Sequence, residues 1–257
     1  MLACRKAAIK CVNIRAHAVR FLSSQRARCD VFQLGMTPYK EAWELQKRMQ
    51  LRRLRNDDAS DAVLIVQHPP VFTLGRGATE DNIRFDVAKA ESGEVELHRI
   101  ERGGEVTYHG PGQLVMYPIL NLNRHKRDLH WYMRQCEEIV IRTIGDYGIE
   151  GSRDDEYTGV WVQDGKLKIA AMGFSVSRWV TMHGLALNVD IDLQPFGRII
   201  PCGIDTESRG VTSLSQQLGG KNVNHDEVAI RMLRHFSNIF DLQLAISNRD
   251  REIPDIE

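Results

Sequence analysis

Apolar positions along this chain follow two rhythms. Ala42, Leu45 and Met49 recur at helical spacing after Thr37-Pro38, which predicts a helix from there to about Arg55 with proline in its first turn. Asn56-Asp57-Asp58 ends it. A second helix is expected over 129–147, with Met133, Cys136, Ile139, Val140 and Ile144 inward and Gly148 suited to its end. A third is expected over 223–240, capped by Asn224, with Val228, Met232, Leu233 and Phe236 inward. Strand patterns fill the intervals at 30–34, 62–67, 71–74, 94–100, 113–120, 159–162, 167–176 and 179–189. Pro69-Pro70 closes one of them, and Asp164-Gly165 signals a hairpin. Leu185, Leu187 and Val189 alternate as a half-buried strand should. The chain beyond 240 reads as a polar, charged tail. No repeat or low-complexity linker divides the chain. One mixed α/β domain is expected over 30–257.

Charge separates residues 1–29 from the rest. Seven of the 34 basic residues lie there, and no acid precedes Asp30, so the remainder carries 27 basic residues against 34 acidic ones. Ala7, Ala8, Cys11, Ile14, Ala18, Phe21 and Leu22 gather loosely on one helical face, and Ser23 and Ser24 follow. This pattern predicts a mitochondrial presequence, cut somewhere in 21–29, and a matrix location. No run approaches the roughly 18 apolar residues of a membrane span, and the balanced charge gives no reason to expect nucleic-acid binding. Of five cysteines, only Cys136 and Cys202 fall within 30–257, and no Cys-x-x-Cys pair suggests a metal or a disulfide framework.

Candidate chemistry begins at Arg102-Gly-Gly-Glu-Val-Thr-Tyr-His-Gly-Pro-Gly112. The segment lacks the Gly-Lys-Ser/Thr end of a phosphate loop. It also runs into a strand containing Pro118, whereas a dinucleotide fingerprint opens a helix. Two glycine pairs flanking Thr107-Tyr108-His109 predict a binding loop. Cys202, between Pro201 and Gly203, is a candidate thiol on a turn. Lys168 lies in a strand of small and apolar residues. Facing inward, its amine would lose charge more readily through desolvation and could carry a proton. Strand alternation puts Lys166 on the same face, so position alone does not choose between them.

The glycine segment resembles the signature of lipoyl(octanoyl) transferases, together with Lys168-Ile-Ala-Ala-Met-Gly173, His183-Gly-Leu-Ala-Leu-Asn188 and Pro201-Cys-Gly-Ile204, in that order. His68-Pro-Pro-Val-Phe-Thr-Leu-Gly75 and Val211-Thr-Ser-Leu214 fit as well, so the resemblance spans roughly 30–240. It implies a mixed sheet with surrounding helices, similar to the catalytic domain of biotin and lipoate protein ligases. It implies transfer of an octanoyl chain from acyl carrier protein to one lysine of a lipoyl domain, as in 2-oxoacid dehydrogenase E2 subunits and the glycine cleavage H protein. By the same resemblance Cys202 is the acyl-accepting nucleophile and Lys168 its proton partner, which selects Lys168 over Lys166. Arg102, Gly103, Gly104, Glu105, Val106, Thr107, Tyr108 and His109 are implied to bind substrate, as are Ala171, Met172, Gly173, Gly184, Leu185 and Ala186. His183 is a candidate for orienting the reacting groups. No ATP and no metal are expected, and the enzyme is expected to act as a monomer. An ATP-dependent ligase on the same fold, a silent lipoyl-domain scaffold and a thiol hydrolase are the competing readings. Arg48, Arg52 and Arg55, with Arg53, form a basic stripe that would suit an acidic carrier.

Overall fold

In the computed structural model, the residues described are 26–56, 59–86, 95–200 and 208–247. Cys202 therefore lies outside the described residues, as does nearly all of the expected leader. The strands are β1 (Ala27–Met36), β2 (Asp61–Gln67), β3 (Val71–Leu74), β4 (Leu97–Arg99), β5 (Val106–His109), β6 (Gln113–Ile119), β7 (Val160–Val162), β8 (Leu167–Ser177), β9 (Val180–Asn188), β10 (Gly210–Val211) and β11 (Leu242–Ile246). The helices are α1 (Tyr39–Arg55), α2 (Leu129–Gly145), α3 (Leu214–Gln217) and α4 (His225–Phe240).

The main sheet is mixed, in the order β10-β8-β9-β6-β2-β1-β11, with β7 also paired to β8. Its central strand β2 (Asp-Ala-Val-Leu-Ile-Val-Gln) is almost wholly buried because helices cover both faces. On one face Ala42, Leu45 and Met49 of α1 pack against Leu64, Val66, Val115 and Ala186. On the other, Ile139, Val140 and Ile144 of α2 and Met232 and Phe236 of α4 pack against Val63, Met116, Leu185 and Leu187. A smaller sheet, β4-β3-β5, stands beside it, holding Phe72 and Tyr108 against Phe196 and Ile199.

Asn224 caps α4, accepting hydrogen bonds from the backbone N–H groups of Asp226 and Glu227. Three features differ from the sequence expectation. β1 begins at Ala27, earlier than the expected strand: it pairs Ala27 with Leu242 and buries Cys29, so residues 27–29 belong to the sheet. The tail carries β11, where Leu242, Leu244 and Ile246 alternate along a parallel pairing to β1. Arg53 does not join the basic stripe. It is buried, and its guanidinium donates to the carbonyls of Met49 and Ser60 while Arg48, Arg52 and Arg55 stay exposed.

Candidate active site

Pro118 shapes the site. It sits in β6 opposite Val63 and has no N–H to give to β9. The β6–β9 ladder accordingly runs only from Gln113↔Asn188 to Met116↔Leu185. At that break His183 takes φ 61°, and its backbone N–H turns to the Gln46 Oε1 at 2.8 Å. Gly184 has to be glycine, because a Cβ there would lie 2.0 Å from the Met116 carbonyl oxygen. The kink brings the His183 ring into a cavity floored by β8 and β9.

Eleven of the expected residues line that cavity: Arg102, Thr107, His109, Lys168, Ala171, Met172, Gly173, His183, Gly184, Leu185 and Ala186. The free space between them is about 30 Å³, room for about two waters. Strand alternation explains which neighbours are not there. The expected loop is largely the strand β5, so Thr107 and His109 face the cavity while Val106 and Tyr108 turn into the core beside Phe72 and Phe196. Gly103, Gly104 and Glu105 line an adjoining groove instead. Tyr39, Val115 and Tyr117 complete the cavity and were not anticipated from the sequence. Tyr39 follows Thr37-Pro38 at a helix start, and Val115 and Tyr117 alternate along a strand whose pattern signals only core.

Lys168 and Lys166 have different surroundings. Lys166 belongs to the hairpin turn before β8 and is exposed, whereas Lys168 is only 5% exposed. Its Nζ lies 5.1 Å from the centre of the Trp161 ring. A Cβ on Gly159, at φ 141°, would press to 2.5 Å from the Lys168 Cε, so glycine is required there to admit the side chain. The chain returning at Ser208 pairs Val211 with Lys168, and the Thr212 N–H donates to the Lys168 carbonyl at 3.0 Å.

The histidines are neutral for identifiable reasons. Burial, with His68 close by, lowers the His109 pKa to about 3 against the opposing hydrogen bond to Gln113. A directed relay fixes its tautomer. The Asn188 Nδ2 donates to the Thr212 carbonyl at 2.9 Å, so its Oδ1 accepts from the Gln113 Nε2 at 2.9 Å. The Gln113 Oε1 is then left to accept from the His109 Nδ1–H at 2.7 Å, which makes Nε2 the ring's only acceptor. His68 is lowered to about 4 by burial; its Nδ1 donates to the Thr37 carbonyl and its Nε2 accepts from the Tyr117 hydroxyl. Tyr39 stacks on both His98 and His109, and burial pushes its phenol up.

His183 is different in having no hydrogen-bond partner among the described residues on either ring nitrogen. Its Nε2 lies 3.7 Å from the Glu101 Oε1, beyond hydrogen-bond range. Burial lowers its pKa against the pull of that carboxylate. Burial works against the Glu101 charge too, but His183 and the Trp43 Nε1–H, at 3.1 Å, hold the carboxyl down at about 2. Arg102 is tied to protein. Its Nη2 donates to the Thr73 carbonyl and hydroxyl at 2.7 and 2.9 Å, and its Nη1 donates to the Gly103 carbonyl. This bracing locks the glycine segment onto β3. Cys29 and Cys136, both buried, are unsuited to nucleophilic attack. Burial pushes both thiols up, aided at Cys29 by Asp61.

This arrangement offers a fixed amine, neutral imidazoles and a small-residue floor in a cavity with room for only about two waters. It suits proton handling around an apolar acyl substrate. Residues 38–237 match the lipoyl protein ligase A/B catalytic domain. Octanoyltransferase of Nostoc punctiforme is 45% identical over 216 residues, covering 84% of this chain and 90% of that one. Octanoyltransferase LIP2p2, chloroplastic, of Arabidopsis thaliana is 46% identical, covering 84% and 80%. A crystal structure of lipoate-protein ligase A bound with ATP shares the fold with a TM-score of 0.69 at 17% identity, covering 86% of this chain and 88% of that one. The chain belongs to the lipoyl protein ligase A/B catalytic-domain family. Its full-length relatives place it on the octanoyltransferase branch, and it is an acyltransferase.

Proposed function

We propose that the chain moves an octanoyl group from acyl carrier protein, through a thioester on Cys202, to a lysine of lipoyl domains, the first step of protein lipoylation. The observation that carries this reading is the cavity itself. It gathers Lys168, the two small-residue segments at 171–173 and 184–186, and Arg102, Thr107 and His109 around a largely apolar space. The Cys202 thiolate attacks the donor carbonyl, forming one C–S bond as the carrier C–S bond breaks, and the carrier thiolate leaves with a proton. The acceptor amine then attacks the enzyme thioester, the amide forms, and the Cys202 thiolate departs. Lys168 is the group that gives the first proton and takes the second.

Exchange of one thioester for another costs little, so no nucleotide or metal is required. Each buried methylene of the octyl chain contributes about 0.8 kcal/mol, and the floor of Ala171, Gly173, Gly184 and Ala186 carries no large side chain to obstruct it. Filling the cavity requires movement of a lining side chain, and unbranched Met172 is the most adaptable one. Acceptors in this reading are the E2 subunits and the H protein. The acid-free segment before β1 supports a mitochondrial matrix address, with the cut before Ala27 so that β1 survives whole.

The test is an ATP-free assay with octanoyl carrier protein and a lipoyl domain. Octanoylated lipoyl domain is the expected product. Release of free octanoate, or a requirement for ATP, would overturn the reading.

A further inference from the structure

Beside the cavity runs an open groove of about 580 Å³, lined on one side by Gly103, Gly104 and Glu105 of the expected substrate-binding segment, to which the mechanism gives no task. Cavity and groove share Met172 and Gly173, so they meet at the floor of the site. The groove lies between the 103–105 turn, the first turns of α2 at Leu129 and Met133, and the 156–158 segment before β7.

Its base is an open strand edge. The Gly103 N–H donates to the Phe174 carbonyl at 2.8 Å, which shows that the peptide groups of Phe174 face away from β9. Ladder alternation turns those of Met172 and Val176 the same way. On this side β7 pairs with β8 only as far as Ala170. Among the described residues, Gly103 alone takes the edge beyond that point. The groove therefore offers peptide donors and acceptors at the repeat of a β-strand, in walls that also expose apolar surface, with Leu129 44% exposed.

We infer that this groove receives the extended, amide-bearing thiol arm of the donor, a pantetheine-type chain, with its amides paired to the free edge of β8. The inference rests on the thioester-donor reading above. A thioester has two sides. The narrow, apolar cavity suits the acyl side, so the other side has to leave past Met172 and Gly173, where the groove begins. A pantetheine-type arm carries two amides and a pair of methyl groups, which match the strand edge and the apolar wall at Leu129 and Met133. The volume is within the range of about 300–1,000 Å³ that holds ligands of this size. Charge does not select the occupant, because Arg76 shares the rim with Glu105 and Glu156.

The experiment compares octanoyl-pantetheine with octanoyl-N-acetylcysteamine, which lacks the outer amide and the methyl groups, as donors to a lipoyl domain. Wild type is compared with Met133→Trp, which fills the groove from α2 without touching the cavity. The full-length arm should raise kcat/KM about tenfold in the wild type, the scale of one or two modest hydrogen bonds and some buried methyl area. Met133→Trp should abolish that advantage by lowering kcat/KM for the full-length arm about tenfold more than for the short donor. Equal use of both donors by the wild type would overturn the inference, as would an equal loss on both in the variant. A rise in KM for the lipoyl domain alone would assign the groove to the acceptor and overturn it too. Failure of either donor to transfer acyl at all would instead sink the thioester-donor reading beneath it.

Discussion

Acidification should weaken this fold through its buried histidines, and the amount follows from their surroundings. His68 and His109 have folded pKa values of about 4 and 3. In the unfolded chain both return to about 6.5. Between these limits the unfolded state binds more protons, so stability is full above about pH 6.5 and falls as pH drops. At pH 5 each histidine removes about 2 kcal/mol, and the pair about 4 kcal/mol, a large part of a typical domain's 5–15 kcal/mol. His183, lowered by burial as well, acts in the same direction. Carboxylates such as Glu101, held at about 2, enter only at lower pH. The assay is urea unfolding from pH 7.5 to 5 for wild type and His109→Gln, which preserves polar contact in the cavity. The wild type should lose about 4 kcal/mol or more, and the variant about 2 kcal/mol less than that. Parallel profiles for the two proteins would refute the assignment of His109 as a buried neutral imidazole.

Other outcomes follow from the same geometry. Gly184→Ala forces a Cβ onto the Met116 carbonyl and should cost about 1–3 kcal/mol, read as a Tm lower by several degrees in calorimetry. Lys168→Gln should slow octanoyl transfer at least about a hundredfold, while Lys166→Gln, on the exposed turn, should leave the rate within about twofold. Asn188→Leu breaks the relay to His109, leaving the Thr212 carbonyl without its side-chain donor and the Gln113 Nε2 with only its longer bond to the Tyr108 carbonyl. A stability loss of about 1–3 kcal/mol, seen in urea, together with a reduced kcat is expected. Iodoacetamide applied to the folded protein should leave Cys29 and Cys136 unlabelled by peptide mapping, since both thiols are buried and raised.

The site residues were legible through the resemblance of their motifs, and the elements that carry them because periodicity and turn chemistry are local. The spacing of Ala42, Leu45 and Met49 named the buried face of α1, and Asn224 named the start of α4. Short-range signals were weaker where tertiary pairing decides. Val106–His109 read as loop because glycines flank it, yet pairing to β3 makes it a strand and splits Thr107 and His109 from Tyr108. β11 hid in a charged tail and forms because β1 offers it an edge. Lys166 and Lys168 looked equivalent by alternation, so the resemblance alone chose between them in the sequence, and the position of the turn separates them in the fold. Tyr39 and Tyr117 carried no motif. They reach the cavity because α1 and β6 cross beside β5, a juxtaposition with no local signature.

Intact-mass analysis after incubation with octanoyl carrier protein, without ATP, tests the central claim most directly. Wild type should gain the mass of one octanoyl group, Cys202→Ala should gain none, and addition of a lipoyl domain should return the wild type to its starting mass. An unmodified wild type, or an adduct that persists in Cys202→Ala, would contradict the account.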